Sequence, residues 1–299
     1  MYYIVYPIFY LLSLLPWWFM YLISDGLYLL VYHGIGYRKK VVFQNLLIAF
    51  PEKTDKEREW IAKDFYHNFI DTIVETIKMI SISNRTLNKR MGANIEVLNA
   101  LYDSGKNVQL MAGHFFNWEF LNRWLPLHSK FPFVGVYQPL SNKTMDKIIY
   151  QMRAINGTIL IPTKHFKNQF HSYVKDRYAL GLAADQNPPS DLKAHWVPFF
   201  NRLTPFIPGP EKGAKMNDTH VVFCHFYKVK RGHYQIHFEL ITQEPRSFKD
   251  GELTRIFAQK VEAAIRLKPA NYLWSHRRWK FTYDAEKHAH LLVPVKNYD

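Results

Sequence analysis

The chain has 299 residues, 48% of them hydrophobic and 16% aromatic, and carries a formal net charge of +14, with 39 Lys and Arg against 25 Asp and Glu. That much apolar material supports one large domain or two small ones and excludes disorder over most of the length. The positive field favours anionic partners: nucleic acid, anionic lipid, a phosphorylated substrate or an acidic carrier protein. A single cysteine, Cys224, excludes an internal disulfide and a multi-thiolate metal site, and reads as a small core residue in a reducing compartment.

Residues 1–24 carry no charge, and through Tyr37 the only charged side chain is Asp25. About 20 apolar residues span a bilayer as a helix, so length permits a crossing. Pro7 and Pro16 argue against one straight helix, because each removes a backbone donor and clashes with the preceding turn. No cationic stretch precedes the apolar run and no small-residue cleavage site follows it, unlike a secretory signal. Trp17, Trp18, Tyr21, Tyr28 and Tyr32 suit a membrane interface. Positive charge begins at Arg38, Lys39 and Lys40, which by the positive-inside rule leaves the rest of the chain on the cytoplasmic side. Residues 1–37 are therefore expected to be a membrane-anchoring helical segment, either spanning or lying in the interface. A buried helical hairpin is the alternative.

Thr54 and Glu57 have capping-box spacing and mark a helix start. Ile61, Phe65, Phe69, Ile73 and Ile77 then recur every four residues, as on one face of a long amphipathic helix packed on a core. From about residue 106 short apolar runs alternate with amphipathic stretches. Val108–Ala112, Phe133–Tyr137, residues 158–161 and Ala179–Ala183 read as buried strands, and residues 144–154 and 166–175 as helices. This alternation predicts an α/β fold, a mostly parallel sheet flanked by helices. Residues 220–229 and 233–241 flank Lys230-Arg231-Gly232 as an antiparallel hairpin, and Glu252–Leu267 is a last helix before Pro269. No internal repeat or low-complexity linker interrupts residues 38–285, which read as one domain ahead of a tail at 286–299.

The strand Val108–Ala112 runs into Gly113-His114-Phe115-Phe116-Asn117-Trp118-Glu119. Ligands of open parallel sheets bind beyond the carboxyl ends of the strands, where His114 falls. Five helical steps leave His114 and Glu119 about 140° apart on a regular helix. They meet only if His114 lies in the turn and Glu119 in the first helical turn. The carboxylate would then hold one imidazole nitrogen and leave the other free as a general base. Asp185 also follows a strand end, on the ligand side or as a turn cap.

Gly113 to Glu119 resembles the His-x4-Asp/Glu motif of the late lipid A acyltransferases, the lauroyl/myristoyl transferase family, whose fold is of the glycerol-phosphate-acyltransferase type. The resemblance extends in order along most of the chain: Asn45 to Glu52, Val134 to Pro139, Arg153, Ala184-Asp185-Gln186, Val197 to Phe200, Pro208-Gly209, and most distinctively Tyr272-Leu273-Trp274-Ser275-His276-Arg277-Arg278-Trp279-Lys280. Gln138 departs from it, standing where many members carry Arg or Lys. The resemblance implies a catalytic domain at 38–285 that moves a fatty acyl chain from acyl carrier protein to a hydroxyl of a lipid A precursor, at the inner membrane and facing the cytoplasm. His114 would be the base and Glu119 its support. Arg153, Asp185 and Asn117 would contact substrate, and Arg277 and Arg278, set among Trp274 and Trp279, an anionic headgroup. It implies no cofactor, and no His-Glu-x-x-His or similar spacing suggests a metal.

Three alternatives remain at this stage. They are an acyltransferase with another acceptor (glycerol phosphate, a glycolipid or an amino-lipid), a non-catalytic protein binding anionic lipid, and a membrane-associated nucleic-acid binder. The last is disfavoured by the apolar N-terminus and the lack of an RNA-binding signature.

Overall fold

Short runs rich in Val, Leu, Ile and Phe, buried on both faces, form the centre of the fold, and the stretches between them cover those faces. The computed structural model describes residues 1–174 and 177–294. The chain begins with α1 (Tyr2–Leu14) and α2 (Trp17–Leu29), the latter prolonged by a π-helical turn at Leu30–Ile35. Next come α3 (Lys39–Ala49), α4 (Asp55–Lys78), α5 (Asn84–Arg90), β1 (Met91–Ala93), α6 (Ile95–Asn99), β2 (Val108–Ala112), α7 (Trp118–His128), β3 (Phe133–Tyr137) and α8 (Lys143–Ala154). The order continues through β4 (Ile159–Pro162), α9 (Phe166–Tyr173), β5 (Ala179–Ala183), β6 (His195–Phe199), β7 (Arg202–Phe206) and α10 (Gly209–Asn217). It ends with β8 (His220–Lys230), β9 (His233–Thr242), α11 (Glu252–Leu267) and the short α12 (Ala285–His288).

The strands form a seven-stranded sheet in the order β1-β9-β8-β2-β5-β3-β4, with β6 and β7 as a separate pair. Every neighbouring pair in the large sheet is parallel except the β8–β9 hairpin. The expected α/β architecture is therefore present, with β4 one residue later than read from sequence. The helix read at 166–175 ends at Tyr173, and Lys175 lies outside the described residues, as do residues 295–299 of the tail. The β6–β7 ribbon was not foreseen. It holds Pro198 and Pro205, residues tolerated in strands only where the backbone donor is not needed, as on a two-stranded ribbon with free edges.

Helix α4 starts in the expected capping box, with Glu57 N–H donating to Thr54 Oγ1 at 3.3 Å and Thr54 N–H to the Glu57 carboxylate at 2.7 Å. The apolar stripe read along it holds only in part. Phe65 is buried, but Ile73 is 46% exposed. Ile61, Phe69 and Ile77 are partly buried against the core, so of the five only Ile73 turns to solvent. The buried face instead passes through Ala62, Tyr66, Ile70 and Val74, and carries Asp71, Glu75 and Lys78 inward with it.

The N-terminal segment lies against this helix. Pro16 adopts an extended backbone and breaks the run, so α1 and the α2–π stretch meet at 113°, while Pro7 is accommodated inside α1. Among the described residues no single helix is long and apolar enough to cross a membrane. The inner side is pinned by polar contacts: Ser24 Oγ donates to Asp71, Asp25 pairs with Arg231, and Lys78 Nζ caps the end of α1 at the carbonyls of Ser13 and Leu15. A cation at a helix C-terminus complements the helix dipole. The opposite side exposes Tyr3, Ile4, Leu11, Trp18 and Leu22, among others.

Candidate active site

Parallel register assembles the site. Ala112 of β2 lies opposite Ala183 of β5, so the residues two positions beyond each strand, His114 and Asp185, come out level at the carboxyl edge. Asp185 is fully buried, and its Oδ1 accepts from both the His114 amide (3.1 Å) and the ring Nδ1 (2.6 Å). Burial alone would raise this carboxyl, but His114 and the Tyr272 hydroxyl outweigh it and hold it down to about 2. It is therefore ionised at neutral pH and fixes the ring with Nδ1 as the protonated nitrogen. Nε2 then has no hydrogen-bond partner among the described residues, and the side chain stays 24% exposed to the cavity.

Glu119 does not hold His114 as expected. Its carboxylate is occupied by the Arg153 fork, with Nε at 2.9 Å from Oε2 and Nη2 at 2.5 Å from Oε1, and by Trp118 Nε1 at 3.0 Å. The second residue of α7 faces α8, which carries Arg153, whereas the imidazole Nδ1 is turned toward β5. Burial works against the Arg153 charge, but Glu119 more than compensates and raises its pKa. Asn117 was expected to touch substrate, but it is fully buried: Oδ1 caps α7 by accepting from Glu119 N–H (3.1 Å), and Nδ2 donates to Glu75 (3.0 Å).

The closing block folds back as a strap. Leu273 N–H donates to the His114 carbonyl at 3.1 Å, and Phe116 N–H to the Asn271 carbonyl at 2.9 Å, fixing the turn from outside the sheet. Arg277 is exposed, compatible with a headgroup, but Arg278 is turned inward. Arg278 donates to Asn187 Oδ1 and to the Pro205 carbonyl, each at 3.0 Å, and lies 4.2 Å over the Phe206 ring. Burial lowers it to about 10. The alternation Arg277-out, Arg278-in leaves no mark in the sequence, because residues 273–279 are a run of turns rather than a surface helix. His276, unassigned by the sequence argument, lies near His114 and Asp185, and burial together with Arg278 pushes it down to about 4.

A cavity of about 500 Å³ reaches from His114, Glu119 and Arg153 inward between one sheet face and helices α7 and α8. Its floor is opened by small residues: Gly135 and Gly181 are register partners on β3 and β5, and Ala112 and Cys224 are partners on β2 and β8. Its roof includes Leu121 and Ile149. A mostly apolar cavity bordered by an oriented imidazole is suited to an apolar ligand whose reactive group stops at His114. Among the described residues no three His, Cys, Asp or Glu side chains are grouped so as to hold a metal ion.

Comparison with known proteins agrees with this chemistry. The family model for bacterial lipid A biosynthesis acyltransferase matches residues 1–281. The chain is 24% identical over 271 residues to the lipid A biosynthesis lauroyltransferase of Escherichia coli strain K12, covering 89% of this chain and 87% of that protein. It is 24% identical over 279 residues to a lipid A biosynthesis acyltransferase of Haemophilus influenzae, covering 83% and 82%. A lipid A biosynthesis palmitoleoyltransferase of E. coli is 21% identical over 253 residues, covering 81% and 79%.

Proposed function

The chain belongs to the bacterial lipid A biosynthesis acyltransferase family and is an acyltransferase, and from that premise we propose that it moves a fatty acyl chain from acyl carrier protein onto a hydroxyl of a lipid A precursor. The observation that carries the reading is the His114–Asp185 pair at the end of an acyl-sized cavity. His114 Nε2 removes the proton of the acceptor hydroxyl as its oxygen attacks the thioester carbonyl. The C–O bond forms, the C–S bond breaks, and the proton passes from His114 to the departing thiolate. General-base assistance of this kind contributes about 10²–10⁴ in rate. Asp185 keeps the ring in the productive tautomer and stabilises the imidazolium. Arg153, held by Glu119 through Nε and Nη2, keeps Nη1 for the developing oxyanion. Arg277 faces the acceptor headgroup.

The N-terminal segment supports attachment to the cytoplasmic face of the inner membrane as an in-plane wedge. The 13-residue α1 is about 20 Å long, short of the roughly 30 Å hydrocarbon core, and the longer α2–π stretch is tied along its inner side to Asp71 and Arg231. The exposed apolar side enters the lipid while the polar inner side stays on the protein. The direct test is transfer from a panel of labelled acyl-carrier-protein donors to an under-acylated lipid A precursor, comparing wild type with His114→Ala. Transfer by wild type alone supports the reading. Thioester consumption only with other lipids would keep the acyltransferase and remove the lipid A acceptor.

A further inference from the structure

Glu75 is a fully buried carboxylate that the proposed mechanism does not use. It makes no ion pair among the described residues, and burial, with Asp71 nearby, pushes its pKa upward, so hydrogen bonds must replace the water it loses. Three donors do so, and they come from three parts of the chain. Tyr21 of α2 donates to Oε1 at 2.9 Å. Tyr234 of β9 donates to Oε2 at 2.6 Å, and Asn117 Nδ2 donates to the same oxygen at 3.0 Å. The Asn117 amide has no freedom to turn over, because its Oδ1 already accepts from Glu119 N–H.

One carboxylate thus joins the segment with the exposed apolar face to the residue that caps α7, three positions after His114 and two before Glu119. Tyr21 lies on the inner side of α2, beside Ser24 and Asp25, which tie the same helix to Asp71 and Arg231. The path from lipid-facing helix to active-site turn is two hydrogen bonds long, Tyr21–Glu75–Asn117. Any displacement of α2 from α4 removes the Tyr21 donor from Oε1 and loosens the carboxyl group whose Oε2 holds Asn117.

We propose that Glu75 is a positioning residue through which the seating of the N-terminal segment sets the geometry of the His114–Glu119 turn, a role that rests on the acyl-transfer reading. It predicts that perturbing the far end of the path lowers turnover rather than donor affinity, and that the path is not additive.

The test is a double-mutant cycle on the full-length protein with Tyr21→Phe, Glu75→Gln and the double variant. The measurements are kcat and KM for the acyl-carrier-protein donor, with melting temperature alongside. Tyr21→Phe removes one oxygen and no packing, and should lower kcat about threefold to tenfold with KM within about twofold. Glu75→Gln should lower kcat further, and the double variant should be no slower than Glu75→Gln alone. Should Glu75→Gln not fold, Tyr21→Phe still decides through its kcat–KM split. Unchanged kcat in Tyr21→Phe, or full multiplication of the two effects, would overturn the coupling and leave the acyl-transfer reading standing. An inactive wild type would sink that reading, and the coupling with it.

Discussion

Replacing Asp185 by Asn tests the assignment of the base most sharply. The amide preserves the shape and an acceptor for the His114 amide and Nδ1, so the fold should survive, but the charge that meets the imidazolium is gone. With Nδ1 and Oδ1 at 2.6 Å, the centres of the two charged groups lie about 4 Å apart, an interaction of about 4 kcal/mol at an effective dielectric of about 20. That amounts to about a thousandfold in rate, somewhat below the roughly 10⁴ lost when an analogous Asp is made Asn in a Ser-His-Asp triad. Because Asp185 is held down to about 2, the wild-type charge is present throughout any practical assay range, and the loss should not be recovered by raising the pH. The assay is steady-state transfer with labelled donor, alongside thermal melting. Glu119→Gln is the control: it leaves the His114–Asp185 pair intact, frees Arg153, and should cost about 10–100-fold. A fall of less than tenfold for Asp185→Asn with unchanged melting, or a larger loss for Glu119→Gln, would refute the pairing as the base's support.

Gly135→Leu should turn donor preference toward shorter chains. A Cβ there meets Leu160 at an ordinary 3.5 Å, and each methylene that no longer fits should cost about fourfold in kcat/KM, from about 0.8 kcal/mol per buried CH₂. Competition between donors of different length reads this directly. Leu11→Glu with Leu22→Glu, both on the exposed apolar side, should lower partition onto anionic vesicles in flotation by tenfold or more while leaving the melting temperature unchanged, since full burial of each leucine is worth about 1.5–3 kcal/mol. Arg278→Lys should destabilise the fold by about 3–5 kcal/mol in denaturant unfolding, because two fixed donors and the Phe206 contact are lost together, whereas Arg277→Ala should leave stability unchanged.

The buried strands were legible because strands covered on both faces need nearly continuous apolar residues, and the chain supplies them, Gln109 apart, at Val108–Ala112, Phe133–Tyr137 and Ala179–Ala183. The start of α4 was legible from its capping pair, a purely local signal. Register was not, because a parallel pairing between residues 71 apart leaves no mark in either strand. For that reason the partner of His114 was sought five residues away, at Glu119, instead of at Asp185. The same blindness hid the facing glycines Gly135 and Gly181, each unremarkable alone. Asn117 and Arg278 were read as ligand contacts for a related reason: a polar residue beside a motif reads so until its hydrogen bonds are known, and both are buried with hydrogen-bond partners inside the fold.

The two acidic residues near His114 have different partners, Asp185 the imidazole and Glu119 the Arg153 guanidinium. An imidazole that is to accept a proton needs a carboxylate on one nitrogen and an open approach to the other, and strand-end residues on adjacent strands provide this without crossing the cavity. The Arg153 guanidinium lines the same cavity and has a carboxylate of its own. Glu119 on α7 meets Arg153 on α8 and keeps it apart from that pair. The His-x4-Glu spacing then reflects the length of turn needed to pass from a strand end to the first turn of the covering helix. It delivers His114 and the carboxylate that holds Arg153 to two sides of one cavity, and contact between the two motif residues themselves is not required.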